Sequence, residues 1–326
     1  MKTIKQNYKY ILVFLGIFLL FTFKFPYYID APGGISDVSS KVILDSYKSK
    51  GTFNLAYVKE YNASIPTLLF SLFNKDYKII SKKDVLLDNE TSKTYELRDK
   101  LLMDESISNA TYVAYKKANK KIEEVSNKLI VTYIDKKSKS NLEVNDEILA
   151  IDNIPINSKE DITNIVESKN YNDKLKIKVK NKDHEYERYA YIINDDNSKK
   201  IEILISNIKE FKTIPKINFN IDKNESGPSG GVITALYIYD SLIKEDLTKG
   251  KTIVGTGTIE LDGTVGSIGG VSYKLKSAVK SGADIFLVPN DENYTEAIKL
   301  KKQNNYDIKI VGISNIDDAI DYLKNM

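Results

Sequence analysis

The chemistry in this sequence begins with the run Ser226-Gly227-Pro228-Ser229-Gly230-Gly231, where a hydroxyl stands between small residues just ahead of a helix-forming stretch. Glycines let a reacting chain come close to the backbone, and the free amides that open a helix can hold a developing oxyanion. That combination suits a serine nucleophile, although Gly and Ser also favour ordinary turns and helix starts. What the chain lacks narrows the choice of base. There is no Cys, which removes a thiol nucleophile, a thiolate metal site and a disulfide framework. There is one His, His184, in the polar stretch Lys182-Asp183-His184-Glu185, which reads as an exposed turn. The spacing Gly227-x-Ser229-x-Gly231 fits a nucleophile elbow, but that arrangement needs a His after the Ser, and His184 precedes it. Lys is then the remaining base. In Thr264-Val265-Gly266-Ser267-Ile268-Gly269-Gly270-Val271-Ser272-Tyr273-Lys274 a glycine pair leads into a helix whose first turn carries Lys274. The positive end of a helix and burial both disfavour an ammonium. Bringing a Lys from about 10.4 to about 7.5 takes roughly 4 kcal/mol, which demands a largely desolvated site.

Four blocks stand in fixed order: Gly227-Pro228-Ser229-Gly230-Gly231, Gly255-Thr256-Gly257-Thr258-Ile259, Asp262-Gly263-Thr264-Val265, and Ile268-Gly269-Gly270 with Lys274. In order and spacing they resemble the proteolytic domain of Lon-type serine peptidases, over about Ile214 to Met326. The resemblance implies that Ser229 is the nucleophile, Lys274 its general base, and Thr256 the residue that hydrogen-bonds and orients the base. The whole layout is similar to the membrane-anchored, PDZ-containing Lon-like proteases of Gram-positive bacteria, with Tyr27 to Gly34 and Leu247 to Lys251 as further matching pieces. Proteins of that kind act outside the membrane on secreted peptides or membrane-exposed proteins. Ser226 departs from the Gly or Asp usual before Gly-Pro-Ser.

Soluble Lon proteins also carry an ATPase. Here Gly250-Lys251-Thr252 mimics the end of a phosphate-binding loop, but Glu245 stands where its first Gly belongs. The expectation is therefore ATP-independent cleavage of flexible or already unfolded chains. No cofactor is expected, and no metal, since His and carboxylates show no ligand spacing. Ser277-Ala278-Val279-Lys280 matches the S-x-x-K pattern of penicillin-binding acyltransferases without an accompanying K-T-G.

The elements that must position these residues alternate in type. The sequence predicts a strand over 214–221, a helix from Val232 to Ile243 and a strand over 252–261. A helix from Tyr273 to Ser281 follows, then strands over 284–289 and 308–313 separated by a helix from Asn293 to Lys301, and a closing helix from Ile316 to Leu323. Upstream, 111–195 reads as a small β-rich module: a helical stretch from Thr111 to Glu124, strands over 128–134, 147–151 and 175–179, and a helix from Ser158 to Ser168 with Ser158 as N-cap. Its stretch Leu142-Glu143-Val144-Asn145-Asp146-Glu147-Ile148-Leu149-Ala150-Ile151 resembles the core of PDZ domains, with Asn145 in the place of the usual Gly. Such domains add an extended peptide to a sheet edge. The other reading of this module is a spacer. Residues 30–110 give mixed signals and no chemistry, with a strand at 52–58 and a helix at 94–103.

The chain has 326 residues, 42% hydrophobic and 29% charged, enough for two or three folded units. Residues 1–24 carry Lys2, Lys5, Lys9 and Lys24 and no acid. Removing those four leaves 44 basic against 45 acidic side chains, so the body shows no basic face for nucleic acid. Tyr10 to Phe23 is uncharged and reads as a membrane anchor over 10–29, after a basic arm at 1–9. A cleaved signal and a buried core helix are its alternatives. The expected architecture is α+β, with an N-terminal transmembrane helix, an extracytoplasmic region at 30–110, a PDZ-like domain at 111–195 and a Lon-type protease domain at 196–326. The expected location is the cell membrane, single-pass, with the N-terminus cytoplasmic and the catalytic body outside. The expected partners are a peptide or unfolded protein substrate and the membrane, with a homo-oligomer left open by the rings that Lon-type domains form. The competing reading is a non-catalytic peptide-binding or scaffold protein on the same fold.

Overall fold

A computed structural model describes residues 2–45, 47–195 and 197–326. In chain order its helices are α1 (Lys2–Thr22), α2 (Ile65–Leu72), α3 (Lys82–Val85), α4 (Ser92–Lys117), α5 (Lys159–Ser168), α6 (Gly231–Ile243), α7 (Val271–Lys280), α8 (Glu292–Asn304) and α9 (Ile316–Asn325). Two sheets organise them. The first runs, edge to edge, through the strands Lys309–Ile313, Ile285–Pro289, Thr252–Gly255, Thr52–Asn62, Tyr27–Asp37 and Lys78–Ser81. The first four are mutually parallel and the last three antiparallel. The parallel strands of the C-terminal part are linked by α7 and α8, the crossover that parallel pairing requires.

Both faces of this sheet are covered, as the alternation of its side chains demands. Phe53, Ile253, Ile285 and Leu287 point into one core with α4, α6 and α9. Ala56, Val254, Phe286 and Val288 point into another with α7 and α8. The architecture is thus a mixed α/β unit with layered helices, which corrects the α+β expectation: periodicity located the elements, while parallel pairing comes from the crossover helices.

The second sheet is antiparallel, in the order Ile203–Ile214, Lys121–Ile134, Glu147–Ile151, Lys174–Asn181 and His184–Tyr191, closed over α5 by a core of its own. Ser158 caps α5 as the sequence predicts, its side chain accepting from the Asp161 amide. Asn145 stands at φ +78°, a backbone region that Gly or Asn visits easily, so Asn does there what Gly does in the resembling motif. Asp146 beside it is fully buried and accepts from Asn181 Nδ2 at 2.7 Å and the Glu143 amide at 2.8 Å. The two helical stretches expected at 94–103 and from Thr111 onward are one helix, α4, which stops at Lys117. His184 is exposed at a hairpin.

The transmembrane helix is not supported: among the described residues, no helix is long and apolar enough to cross a membrane. The reason is visible in α1. Its first eight residues hold Lys2, Lys5, Gln6, Asn7 and Lys9, and it ends at Thr22. Tyr10 to Thr22 would span about 20 Å at 1.5 Å per residue, against a hydrocarbon core of about 30 Å. Tyr28, inside the span expected at 10–29, is used elsewhere. It is 2% exposed inside the first sheet, its hydroxyl bonded to Ser92 Oγ at 3.0 Å. The single-pass topology with its body outside the membrane loses its basis with that helix.

Candidate active site

The candidate residues meet at the carboxyl end of the strand Thr252–Gly255. Thr256 follows that strand directly, fully buried, with its amide bonded to the Leu287 carbonyl of the neighbouring strand at 3.0 Å. From one face of the sheet α6 arrives, preceded by a single 3-10 turn, Pro228–Gly230, that carries Ser229. From the other face α7 arrives with Lys274 in its first turn. The carboxyl ends of parallel strands are the usual place for a site in such sheets, because helices start there with unpaired amides.

Lys274 is buried because of its position in the sequence. Val271, Lys274, Leu275 and Ala278 recur at helical spacing and form the inward stripe of α7. The amine is therefore carried into the core with the apolar residues, and Lys274 is only 4% exposed. Burial pushes its pKa from 10.5 down to about 8. Gly270 starts the helix at φ +73°, and a Cβ there would stand 2.8 Å from Val58 Cγ2, so the second glycine of the pair is required by backbone and space alike.

Four contacts wire the residues together. Lys274 Nζ donates to Thr256 Oγ1 at 3.2 Å, and Thr256 Oγ1 donates to the Ser229 carbonyl at 3.2 Å. The Gly257 amide donates to that same carbonyl at 2.8 Å, while Val232 in the first turn of α6 donates to the Gly257 carbonyl at 3.2 Å. A hydroxyl has one proton to give and lone pairs to receive with. With the Thr256 proton committed to Ser229, its lone pair takes an N–H of Lys274, and a neutral amine keeps its own lone pair free. The structure thus brings Ser229, Thr256 and Lys274 to one place. It links the serine and the lysine through Thr256 and the Ser229 backbone; among the described residues the Ser229 hydroxyl has no hydrogen-bond partner, and it makes no direct bond to the amine. Pro228 has no N–H and the Ser229 amide has no acceptor within the Pro228–Gly230 turn, so the Ser229 amide is available to an oxyanion.

Helix α4 is the part of the site that the sequence reading missed. Ser106 Oγ donates to the Pro228 carbonyl at 2.8 Å, Asn109 Nδ2 to the Ile259 carbonyl at 3.0 Å, and the Gly227 amide to the Asp99 carbonyl at 3.0 Å. The available signal was a stretch of small polar residues, Ser106 to Thr111, within a helix; Ser106, Ser108, Asn109 and Thr111 are all buried. Ser277, the Ser of the S-x-x-K pattern, is 2% exposed and accepts from the Gly34 amide at 3.1 Å, whereas Lys280 is exposed. That hydroxyl holds the strand Tyr27–Asp37 to α7. Among the described residues no group of His and carboxylates could hold a metal ion.

Residues 196–325 match the C-terminal proteolytic domain of Lon protease (S16), and residues 97–188 match the PDZ domain. The chain therefore carries a proteolytic domain of Lon type and a PDZ domain. It is 31% identical over 100 residues to the Lon protease of Campylobacter concisus, covering 29% of this chain and 12% of that protein. It is 33% identical over 105 residues to Lon protease 2 of Bacillus subtilis, covering 32% and 18%. The chain thus spans less than a fifth of the length of these relatives. Among solved structures, the PDZ domain of an SdrC-like protein from Listeria monocytogenes is 22% identical, covering 24% of this chain and 85% of that domain, with a TM-score of 0.22.

Proposed function

We propose that this chain is a serine endopeptidase in which Ser229 is the nucleophile, Lys274 the general base and Thr256 the residue that orients the base. The single observation that carries the reading is a buried lysine, at about 8, wired through Thr256 to the backbone of Ser229. Neutral Lys274 takes the Ser229 proton as the Oγ attacks a peptide carbonyl, and backbone amides near Ser229 hold the oxyanion. The ammonium then protonates the leaving amine as the C–N bond breaks. Water attacks the resulting ester by the same route in reverse, restoring the hydroxyl and the neutral amine. In this reading the direct bond between the Ser229 hydroxyl and Lys274 forms with substrate bound, because catalytic hydrogen bonds often tighten only then.

The chain works without ATP in this reading, since Glu245 breaks the phosphate-loop pattern, and it therefore takes chains that are already unfolded. The PDZ domain supplies a sheet for extended peptides. The test is a nucleotide-free digestion of reduced, alkylated casein at pH 8.5, read by mass spectrometry. Discrete fragments are expected; intact casein after overnight incubation leaves the non-catalytic peptide-binding reading in its place. In the same assay Thr256→Val, which keeps the shape but removes both hydrogen bonds, is expected to lower kcat by about 10–100-fold through loss of orientation. A kcat within twofold of wild type would take the orienting role from Thr256.

A further inference from the structure

The Ser229 turn is braced from a helix that also grips the PDZ sheet. One turn of α4 faces both ways. Glu105 accepts the Asn207 amide at 3.0 Å, and Ser108 Oγ donates to the Lys209 carbonyl at 2.9 Å while accepting the Lys209 amide at 3.2 Å. Asn207 and Lys209 belong to Ile203–Ile214, the edge strand of the second sheet, and these are the groups it turns away from its partner strand. Lys159, at the start of α5, reaches the same Glu105 carboxylate at 3.2 Å. Between Glu105 and Ser108 stands Ser106, whose hydroxyl donates to the Pro228 carbonyl.

We propose that Ser106 is a positioning residue for Ser229, and that its setting is tied, through Glu105 and Ser108, to the edge of the PDZ sheet. The first half follows from the planarity of the peptide bond. The Pro228 carbonyl and the Ser229 amide share one rigid trans unit, so a hydrogen bond that fixes the oxygen also aims the Ser229 N–H and the bond to its side chain. Two donors fix that oxygen, the Gly231 amide and Ser106 Oγ, and only the second comes from outside the turn. Contact there is close: a Cβ at Gly231 would stand 2.6 Å from Ser106 Oγ. The second half follows from a helical turn being stiff over four residues. A peptide adding to the edge strand competes with Glu105 and Ser108 for the Asn207 and Lys209 groups, and any shift of those residues carries Ser106 with it. Occupancy of the edge is thereby read out at the nucleophile.

The inference rests on the peptidase reading, and its test separates the two. In the full chain, Ser106→Ala is expected to lower kcat on fluorescein-labelled casein about tenfold, with KM and the pH of half-maximal rate unchanged, and Ser106→Thr to restore most of it. Glu105→Ala, which touches nothing in the Ser229 turn, is expected to lower kcat in the same direction without changing KM. An unchanged kcat in Ser106→Ala overturns the positioning role, and an unchanged kcat in Glu105→Ala overturns the link to the sheet edge. If the wild type cuts nothing, the peptidase reading fails and hydrogen exchange decides the geometry. The Gly231 and Gly257 amides then exchange faster in both variants, or the proposal falls.

Discussion

Replacing Lys274 by Met is expected to abolish cleavage and, at neutral pH, to give the more stable protein. The two effects have one origin. An amine held at about 8 instead of 10.5 is disfavoured by its surroundings in the charged form. At 1.36 kcal/mol per tenfold step, that corresponds to about 3 kcal/mol of folding free energy below pH 8. Met has similar length and no charge, so it removes the penalty; the bond to Thr256 that is lost with it contributes about 1 kcal/mol. A net gain of about 2 kcal/mol is expected at pH 7. The sign of its pH dependence follows from linkage. Between about 8 and 10.5 the unfolded chain binds the lysine proton and the folded chain does not, so the wild type gains stability as pH rises through that window. The advantage of Lys274→Met is therefore full below pH 8 and gone near pH 10.5. Ser229→Ala separates chemistry from stability: it should be as inactive as Lys274→Met, with stability within about 0.5 kcal/mol of the wild type. Wild-type cleavage should rise with pH through about 8, tenfold per unit well below it, because only the neutral amine accepts the proton. Urea unfolding at pH 7 and pH 10, with casein cleavage measured from pH 6 to 9, decides all of this. A Lys274→Met protein that is less stable at pH 7, or one that still cuts, defeats the account.

Gly51→Ala is expected to destabilise the proteolytic unit strongly although it lies far from Ser229 in the chain. A Cβ at Gly51 would stand 2.1 Å from the Lys251 carbonyl oxygen and 2.6 Å from the Lys251 amide, backbone atoms that cannot step aside. Here the strands Thr52–Asn62 and Thr252–Gly255 begin their parallel pairing, Thr52 donating to that carbonyl at 3.1 Å and Gly51 to Thr248 Oγ1 at 2.8 Å. Overpacking a well-filled core costs about 1–3 kcal/mol, and a clash with backbone belongs at or above the upper end. The midpoint of urea unfolding should drop accordingly, and cleavage should fall with it, since Thr256 stands at the end of the displaced strand. Unchanged stability would mean that the strands before residue 62 are dispensable to the sheet that holds the site.

Much of the candidate site could be read from residue order alone. A Ser among glycines ahead of a helix, a glycine pair ahead of a Lys, no Cys and a misplaced His leave few mechanisms, and these constraints are local and covalent. The helices over 158–168, 232–243 and 316–323 were equally legible, because caps and apolar stripes act within a few residues. The N-terminal segment was misread because an uncharged run shows that a stretch is apolar, whereas spanning a bilayer requires length. Its apolar part is about 10 Å short of the hydrocarbon core, and Tyr28, counted toward it, belongs to a sheet.

By itself the sequence determined which side chains can react and in what order they occur, since identity and spacing are properties of the chain. Only the tertiary structure decided what surrounds them. It decided that strands from residues 27–62 complete the sheet carrying Thr256, that the strand Ile203–Ile214 joins the PDZ sheet, and that α4 braces the Ser229 turn. The reason is that backbone pairing and burial join groups separated by one or two hundred positions, and neither a strand's partner nor the depth of a lysine is encoded in its immediate neighbours.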